Sequence, residues 1–410
     1  YNEGTDLEGV AWKDSFFDGM QGAYDRTLLD YYFIPFSMFT TRIYYNRELY
    51  QQIIGSDVPP QTYQDLMDAC QKITDYSKKN NLRLVPIAGS KYQVGRFEDS
   101  YGTAFYYKPI NEFDTDYNGT TDVFETYLAY KDNRWSFTDD RFIRSRECTL
   151  DIAKYFQDGW QAALRDDSAF LFVQGNAVMI ASGSWDAPSL KKQSEGQFTL
   201  GIFDFPLPTD DPVYGQYVKY PKTEASIRGG IPWSINASSN QKDLAIDFLR
   251  FCTTKKNNEK FNLAITWLPV VRGTKLSPDL VPFKPRVKGF SGAFRYDIST
   301  EVKVEGAGKL WNLYSGSISA NEYGEVMKEL YDRSADDGYE NELIKVRRNF
   351  RNLERLMASQ TSSSQFLGTS NDPRQIERFQ QLMQSTSDFS YKVASNQALF
   401  EAVQDDKETE

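Results

Sequence analysis

The sequence contains no histidine. That excludes histidine-based triads, imidazole general bases and the common histidine-rich zinc sites. Any catalyst built here would depend on carboxylates, lysine, tyrosine or thiols. Cysteine is nearly as scarce: Cys70, Cys148 and Cys252 lie far apart, with no C-x-x-C spacing. Cys70 and Cys252 fall on the apolar sides of expected helices, so buried free thiols are the simplest reading; a disulfide between two of the three stays open. Long basic runs are missing, and the formal charge is −10, which argues against nucleic acid and anionic membrane surfaces as partners. No apolar stretch approaches the roughly 20 residues that span a bilayer. The chain starts at Tyr1 rather than Met, so the expectation is that a leader or a longer segment has been removed.

Aromatic side chains are abundant, with 26 Tyr, 28 Phe and 7 Trp in 410 residues. Most must fill cores. The Tyr and Trp surplus also suits a cleft for an amphipathic ligand such as a sugar, whose C–H faces stack on rings. The length exceeds what one compact core usually holds, which predicts two domains.

Apolar, β-branched residues 31–45 predict buried strands broken near Pro35. Thr62 is the expected N-cap of a helix with Asp65 at N3 and Leu66, Cys70 and Ile73 at helical spacing. Residues 83–89 predict a strand, and 97–107 a helix stopped by Pro109. Further helices are expected over 122–130 and 139–158, and strands over 176–186 and 198–208. Residues 229–254 read as a strand, a turn and an amphipathic helix carrying Leu244, Phe248, Leu249 and Cys252, with Trp233 in the core. The alternation indicates an α/β architecture. Beyond about 338 the composition turns Arg-, Gln- and Ser-rich, predicting helical patches over 343–358 and 373–385, a flexible joint between them and a disordered acidic tail.

Residues 114–125, DTDYNGTTDVFE, meet every position of the calcium-loop pattern D-x-[DN]-x-[DN]-G-x5-E. Asp114, Asp116 and Asn118 would supply side-chain oxygens, Thr120 its carbonyl, Asp122 a water-mediated contact and Glu125 a bidentate close. Pro109 argues against a full entering helix, no second loop exists to pair with, and Asp122 with Glu125 could instead form a capping box without metal. Asn118-Gly-Thr120 is also a glycosylation sequon. The expectation is a weak structural calcium ion.

Four segments together resemble family 1 of the extracellular solute-binding proteins, the maltose-binding-protein type: residues 35–66, 170–185 (FLFVQGNAVMIASGSW), 229–254 and LAITWLPVVRG at 263–273. The resemblance spans about 35–335. It implies an α/β fold of the periplasmic-binding-protein type II, two lobes joined by a hinge, with crossovers near 37–40 and 226–231. The first lobe would comprise 1–38 and 229–285, and the second 39–228 and 286–337, with 338–410 as a helical extension and disordered tail. Only about 35 residues precede the first crossover, fewer than in the family, which implies a first lobe whose N-terminal part lies outside this sequence.

By that resemblance the protein is a receptor of an ABC importer, a monomer that closes on a sugar and is read by a membrane permease. It would be extracytoplasmic, periplasmic or at the cell surface, with a lipid anchor on the leader as one option. The implied ligand contacts are Ser37, Phe39 and Thr40 at the first crossover, Tyr92 and Arg96 after strand 83–89, and Trp185 with Asp186 after the Gly-Ser turn. Gly229 and Gly230 would allow close backbone approach; Trp267 and Arg295 complete the set. Hinge packing or a plain surface loop would explain several of these equally well. Two other functions stay open here: a glycan-active enzyme using paired carboxylates such as Asp186 and Glu98 about 5–9.5 Å apart, and a calcium-regulated interaction protein using the C-terminal helices.

Overall fold

The computed structural model describes residues 1–25, 30–117, 119–226, 230–367 and 371–409. The strands are β1 (Tyr24–Asp25), β2 (Asp30–Tyr31), β3 (Ile34–Pro35), β4 (Ser37–Met38), β5 (Thr41–Asn46), β6 (Val85–Ala88), β7 (Ala177–Gly183), β8 (Leu200–Phe203), β9 (Pro232–Trp233) and β10 (Leu268–Pro269). The helices are α1 (Arg47–Ile54), α2 (Tyr63–Lys79), α3 (Lys91–Phe97), α4 (Tyr107–Phe113), α5 (Val123–Lys131), α6 (Asp140–Ala153) and α7 (Arg165–Val173), then α8 (Ala187–Ser194), α9 (Lys242–Cys252), α10 (Lys255–Ile265), α11 (Gly306–Tyr314), α12 (Ala320–Leu367) and α13 (Pro373–Thr409).

One sheet of order β6-β7-β5-β8 organises the larger unit. β6 and β7 run parallel, and β5 lies antiparallel to both β7 and β8. Its two faces feed different cores, because side chains alternate along a strand. Ile43, Tyr45, Met179, Ala181 and Phe203 face a large aromatic core with α2, α6 and α12. Tyr44 and Ile180 face a smaller core shared with Phe16, Phe36, Leu268 and Phe283.

Local chemistry accounts for the element ends. Thr62 and Asp65 close a capping box on α2, whose buried face is Tyr63, Leu66, Ala69, Cys70 and Ile73. Asn46 caps α1 by accepting from the Leu49 amide at 3.0 Å, and Gly55 ends it at φ +86°.

The smaller unit is stitched from short pieces. β3 pairs with β9 and β4 with β10, two residues each. Asn258 and Asn262 both donate to the Phe36 carbonyl at 2.9 Å.

Several expectations are corrected. Pro109 does not stop a helix; it lies in the first turn of α4, where its missing N–H costs nothing. The expected helix over 97–107 is present to residue 104, running on from α3 through a π-helical turn over Glu98–Gly102, and breaks at 105–106 before α4. Trp233 is exposed, its ring stacked on Phe36 at 5.5 Å. On α9, Leu249 is buried but Leu244 and Phe248 face outward, because no described element lies on that side. The cysteines are free as expected, with Cys70 and Cys148 buried; only Cys252, half-buried, departs from the expectation of a buried thiol.

The boundary at 338 falls inside a continuous α12, and Tyr339 and Leu343 belong to the large core. The acidic tail is helical to Thr409, because α13 docks: Phe400 stacks on Tyr339 at 5.0 Å, and the Tyr339 hydroxyl donates to the Asn396 carbonyl at 3.0 Å.

Candidate functional site

The parallel pair β6–β7 ends at Gly89-Ser90 and at Ser184-Trp185-Asp186. β5 begins beside that edge, since Thr41 registers with Gly183. Residues from both crossover and strand ends therefore meet at the carboxyl edge of the sheet, where open α/β sheets bind ligands.

Trp185 is half-buried and lies over Gly183. Phe39, 40% exposed, meets it edge to face at 4.9 Å. This pair offers aromatic surface to the outside. Asp186 accepts from the Arg165 guanidinium and from the Ser182 hydroxyl. Burial works most strongly against the Arg165 charge, but the Asp186 bond, the Asp186 charge and the nearby Tyr92 and Asp166 together outweigh it and raise the guanidinium pKa.

Tyr92, just inside α3, has the Arg96 and Arg165 guanidiniums near its ring at 4.9 and 5.0 Å. Its hydroxyl is buried next to Ser182 without a well-formed hydrogen bond, and burial raises its pKa. A cavity of about 210 Å³ opens among Gln93, Arg165, Ser182, Asp186 and Ser189.

Other sequence-named residues take different places. Arg96 is paired with Asp99 at 3.0 Å. Ser37 is fully buried, with its hydroxyl unpartnered and its carbonyl accepting from the Gly230 amide at 2.7 Å. Thr40 is buried, donates to the Phe283 carbonyl at 2.8 Å and so packs the hinge. Trp267 is half-buried and follows Thr266, a left-handed residue at φ +54°. Gly229 lies outside the described residues. Arg295 goes to the acidic loop instead: its amide donates to the Thr121 carbonyl at 3.2 Å, and its side chain faces Asp297.

Sequence reading missed Arg165, Ser182 and Trp311. Lys91 Nζ sits 4.6 Å from the Trp311 ring, which brings α11 to the same end of α3. No local pattern marked these residues; only the tertiary approach of α7, β7 and α11 does.

In the acidic loop, carboxylate oxygens of Asp114, Asp116 and Glu125 lie within 4.8 Å of one another. Asn118 lies outside the described residues, and Thr120 is exposed. Asp122 Oδ1 accepts the Phe124 and Glu125 amides, and Glu125 Oε2 accepts the Asp122 amide at 3.0 Å, so the capping box is formed. Glu125 Oε1 takes the Thr115 amide and hydroxyl at 2.6 and 2.9 Å. Burial, with the Asp122 charge beside it, raises the Glu125 pKa.

Residues 5–283 match the profile of the bacterial extracellular solute-binding proteins, and the chain belongs to that family. Its fold is that of the type II periplasmic binding proteins. The binding protein RafE in complex with raffinose, known also in an apo form from Streptococcus pneumoniae, is similar at 14% identity and TM-score 0.54, covering 81% of this chain and 80% of that one. A sugar transporter protein from Bacillus licheniformis in complex with stachyose is similar at 17% identity and TM-score 0.52, covering 80% of each chain. A chitin oligosaccharide binding protein is similar at 17% identity and TM-score 0.51, covering 81% and 77%. No curated protein matches the sequence.

Proposed function

We propose that the chain captures a sugar or oligosaccharide at the carboxyl edge of the sheet and presents it to the membrane permease of an ABC importer. The observation that carries this is the Trp185–Phe39 pair beside the Arg165–Asp186–Ser182 polar group. Rings stack on the sugar's C–H face, and the polar group satisfies its hydroxyls. The raffinose and stachyose complexes of proteins with this fold support the ligand class. Among the sequence-named contacts, Trp185, Phe39, Asp186 and Tyr92 fit ligand contact best; Thr40 and Arg96 fit hinge packing and ion pairing.

The glycan-cleaving alternative has little support. Asp186 is held by Arg165, and Glu98 is held by Arg146 and Tyr314, so each carboxylate already balances its own partner. Titration calorimetry against mono- and oligosaccharides tests the proposal. At least one sugar should bind saturably without turnover, and Trp185→Ala should weaken it about ten-fold or more. Product formation, or no binding by any sugar, would sink this reading.

We also propose that Asp114, Asp116 and Glu125 hold calcium. The convergence of their oxygens supports it, and a cation would relieve the repulsion that goes with burying Glu125. Oε1 of Glu125 would have to exchange its Thr115 bonds for the ion. With affinity on the order of 10⁻⁴–10⁻³ M, 10 mM calcium should stabilise the protein by about 1–3 kcal/mol. Melting curves with calcium and with chelator should differ, and Asp116→Asn should shrink the difference. Identical curves would leave only the helix cap.

A further inference from the structure

Among the described residues, three connections link the two units. The connections run through 37–40, between Glu224 and Gly230, and over 278–286. One buried side chain stands just after the first connection and bonds to the second and the third. Arg42 stands second in β5, just after the first connection, and is 1% exposed.

A guanidinium carries five N–H donors, and here each has an acceptor. Nε donates to the Pro282 carbonyl at 3.0 Å. Nη1 donates to the Thr41 carbonyl at 2.6 Å and to Glu224 at 2.9 Å. Nη2 donates to the other Glu224 oxygen at 3.0 Å and to the Lys284 carbonyl at 2.8 Å. The bidentate grip on Glu224 holds the second connection, and the two carbonyls hold the third. Arg286 closes the group from the third connection. Its amide donates to Glu224 at 2.9 Å, and its side chain bonds Glu224 at 3.2 Å and Asp204, next to β8, at 2.5 Å.

Burying a guanidinium with a carboxylate is costly and gives little net stability against apolar packing of the same shape. What such a group does supply is a fixed geometry. We propose that Arg42, with Glu224 and Arg286, is the fixed root of the hinge. It locks the three connections to one another and to the sheet, so that the units turn as rigid bodies about bonds on the smaller unit's side of the lock. Arg42 is a positioning residue: it would set the angle at which the site edge meets the smaller unit.

Lysine cannot replace it, because an ammonium has three donors radiating from one point. Arg42→Lys would release at least one connection. Spin labels at Lys79→Cys and Lys260→Cys, in a Cys252→Ser background, report the separation of the units in the ligand-free chain. Arg42→Lys should broaden that distance distribution about two-fold, and Glu224→Gln, which keeps the shape of the acceptor and removes its charge, should broaden it less. Arg286→Lys should fall between them. The measurement needs no ligand, so it stands or falls independently of sugar binding. A lowered melting temperature with an unchanged distribution would show a merely structural ion pair and overturn the proposal, as would no change in either. If Arg42→Lys fails to fold, the Glu224→Gln distribution decides.

Discussion

At the scale of single residues, glycine sets where rings lie. Gly89, Gly183 and Gly201 are each covered by an aromatic ring: Phe156, Trp185 and Tyr45. A Cβ on any of them would come within 2.1–2.3 Å of that ring. Gly183 matters most, because the ring above it is the proposed platform. Gly183→Ala should push Trp185 off its seat at a cost of about 1–3 kcal/mol, the usual range for overpacking. Tryptophan emission should shift, and sugar affinity should fall toward that of Trp185→Ala. Unchanged emission and binding would show that the ring has another place to sit. Asp186 makes the contrasting case: its place beside the Trp185 ring was legible from the sequence, but its partner Arg165 was not, being 21 residues away in sequence.

At the scale of elements, what could be read early had a local cause. The Thr62–Asp65 capping box, the strand broken near Pro35 and the helix over 122–130 are each fixed by neighbours a few residues apart. Failures came where tertiary contact overrides local preference. Pro109 looks like a stop signal but is tolerated in a first turn. The acidic C-terminal stretch has too little apolar surface to order alone, yet it continues a helix anchored by Phe400 on Tyr339 and Tyr127. Among the candidate contacts, the position of Trp185 and Asp186 at a strand end was legible from the Gly-Ser turn. Arg295 was named by the resemblance alone, and nothing local shows that its segment joins the acidic loop, where Phe294 bridges to Thr121. Trp311 gave no signal, since a tryptophan within a helical pattern reads as core.

At the scale of the whole molecule, the two cores are unequal, and that inequality should govern how the protein opens. The large core spans the sheet and most helices, and β5 is hydrogen-bonded on both sides. The smaller unit has two-residue ladders and α9, whose Leu244, Phe248 and Phe251 lie 65%, 55% and 51% exposed. Local opening is easiest where backbone bonds are few and apolar burial is thin. In hydrogen exchange read by mass spectrometry, peptides over 1–25 and 242–265 should therefore exchange well before those over 41–46 and 177–183. Residues 282–286 should behave differently from their neighbours in the smaller core. The Arg286 amide donates to Glu224 within the Arg42 group, and the carbonyls of 282–284 are held by Arg42 and Thr40 of the larger unit, so the amides of this segment should exchange with the sheet. Uniform protection across both units would mean that the smaller core is carried by the larger. Early exchange at 282–286 would mean that the third connection is not locked to β5, and the hinge would then lack the root that Arg42 supplies.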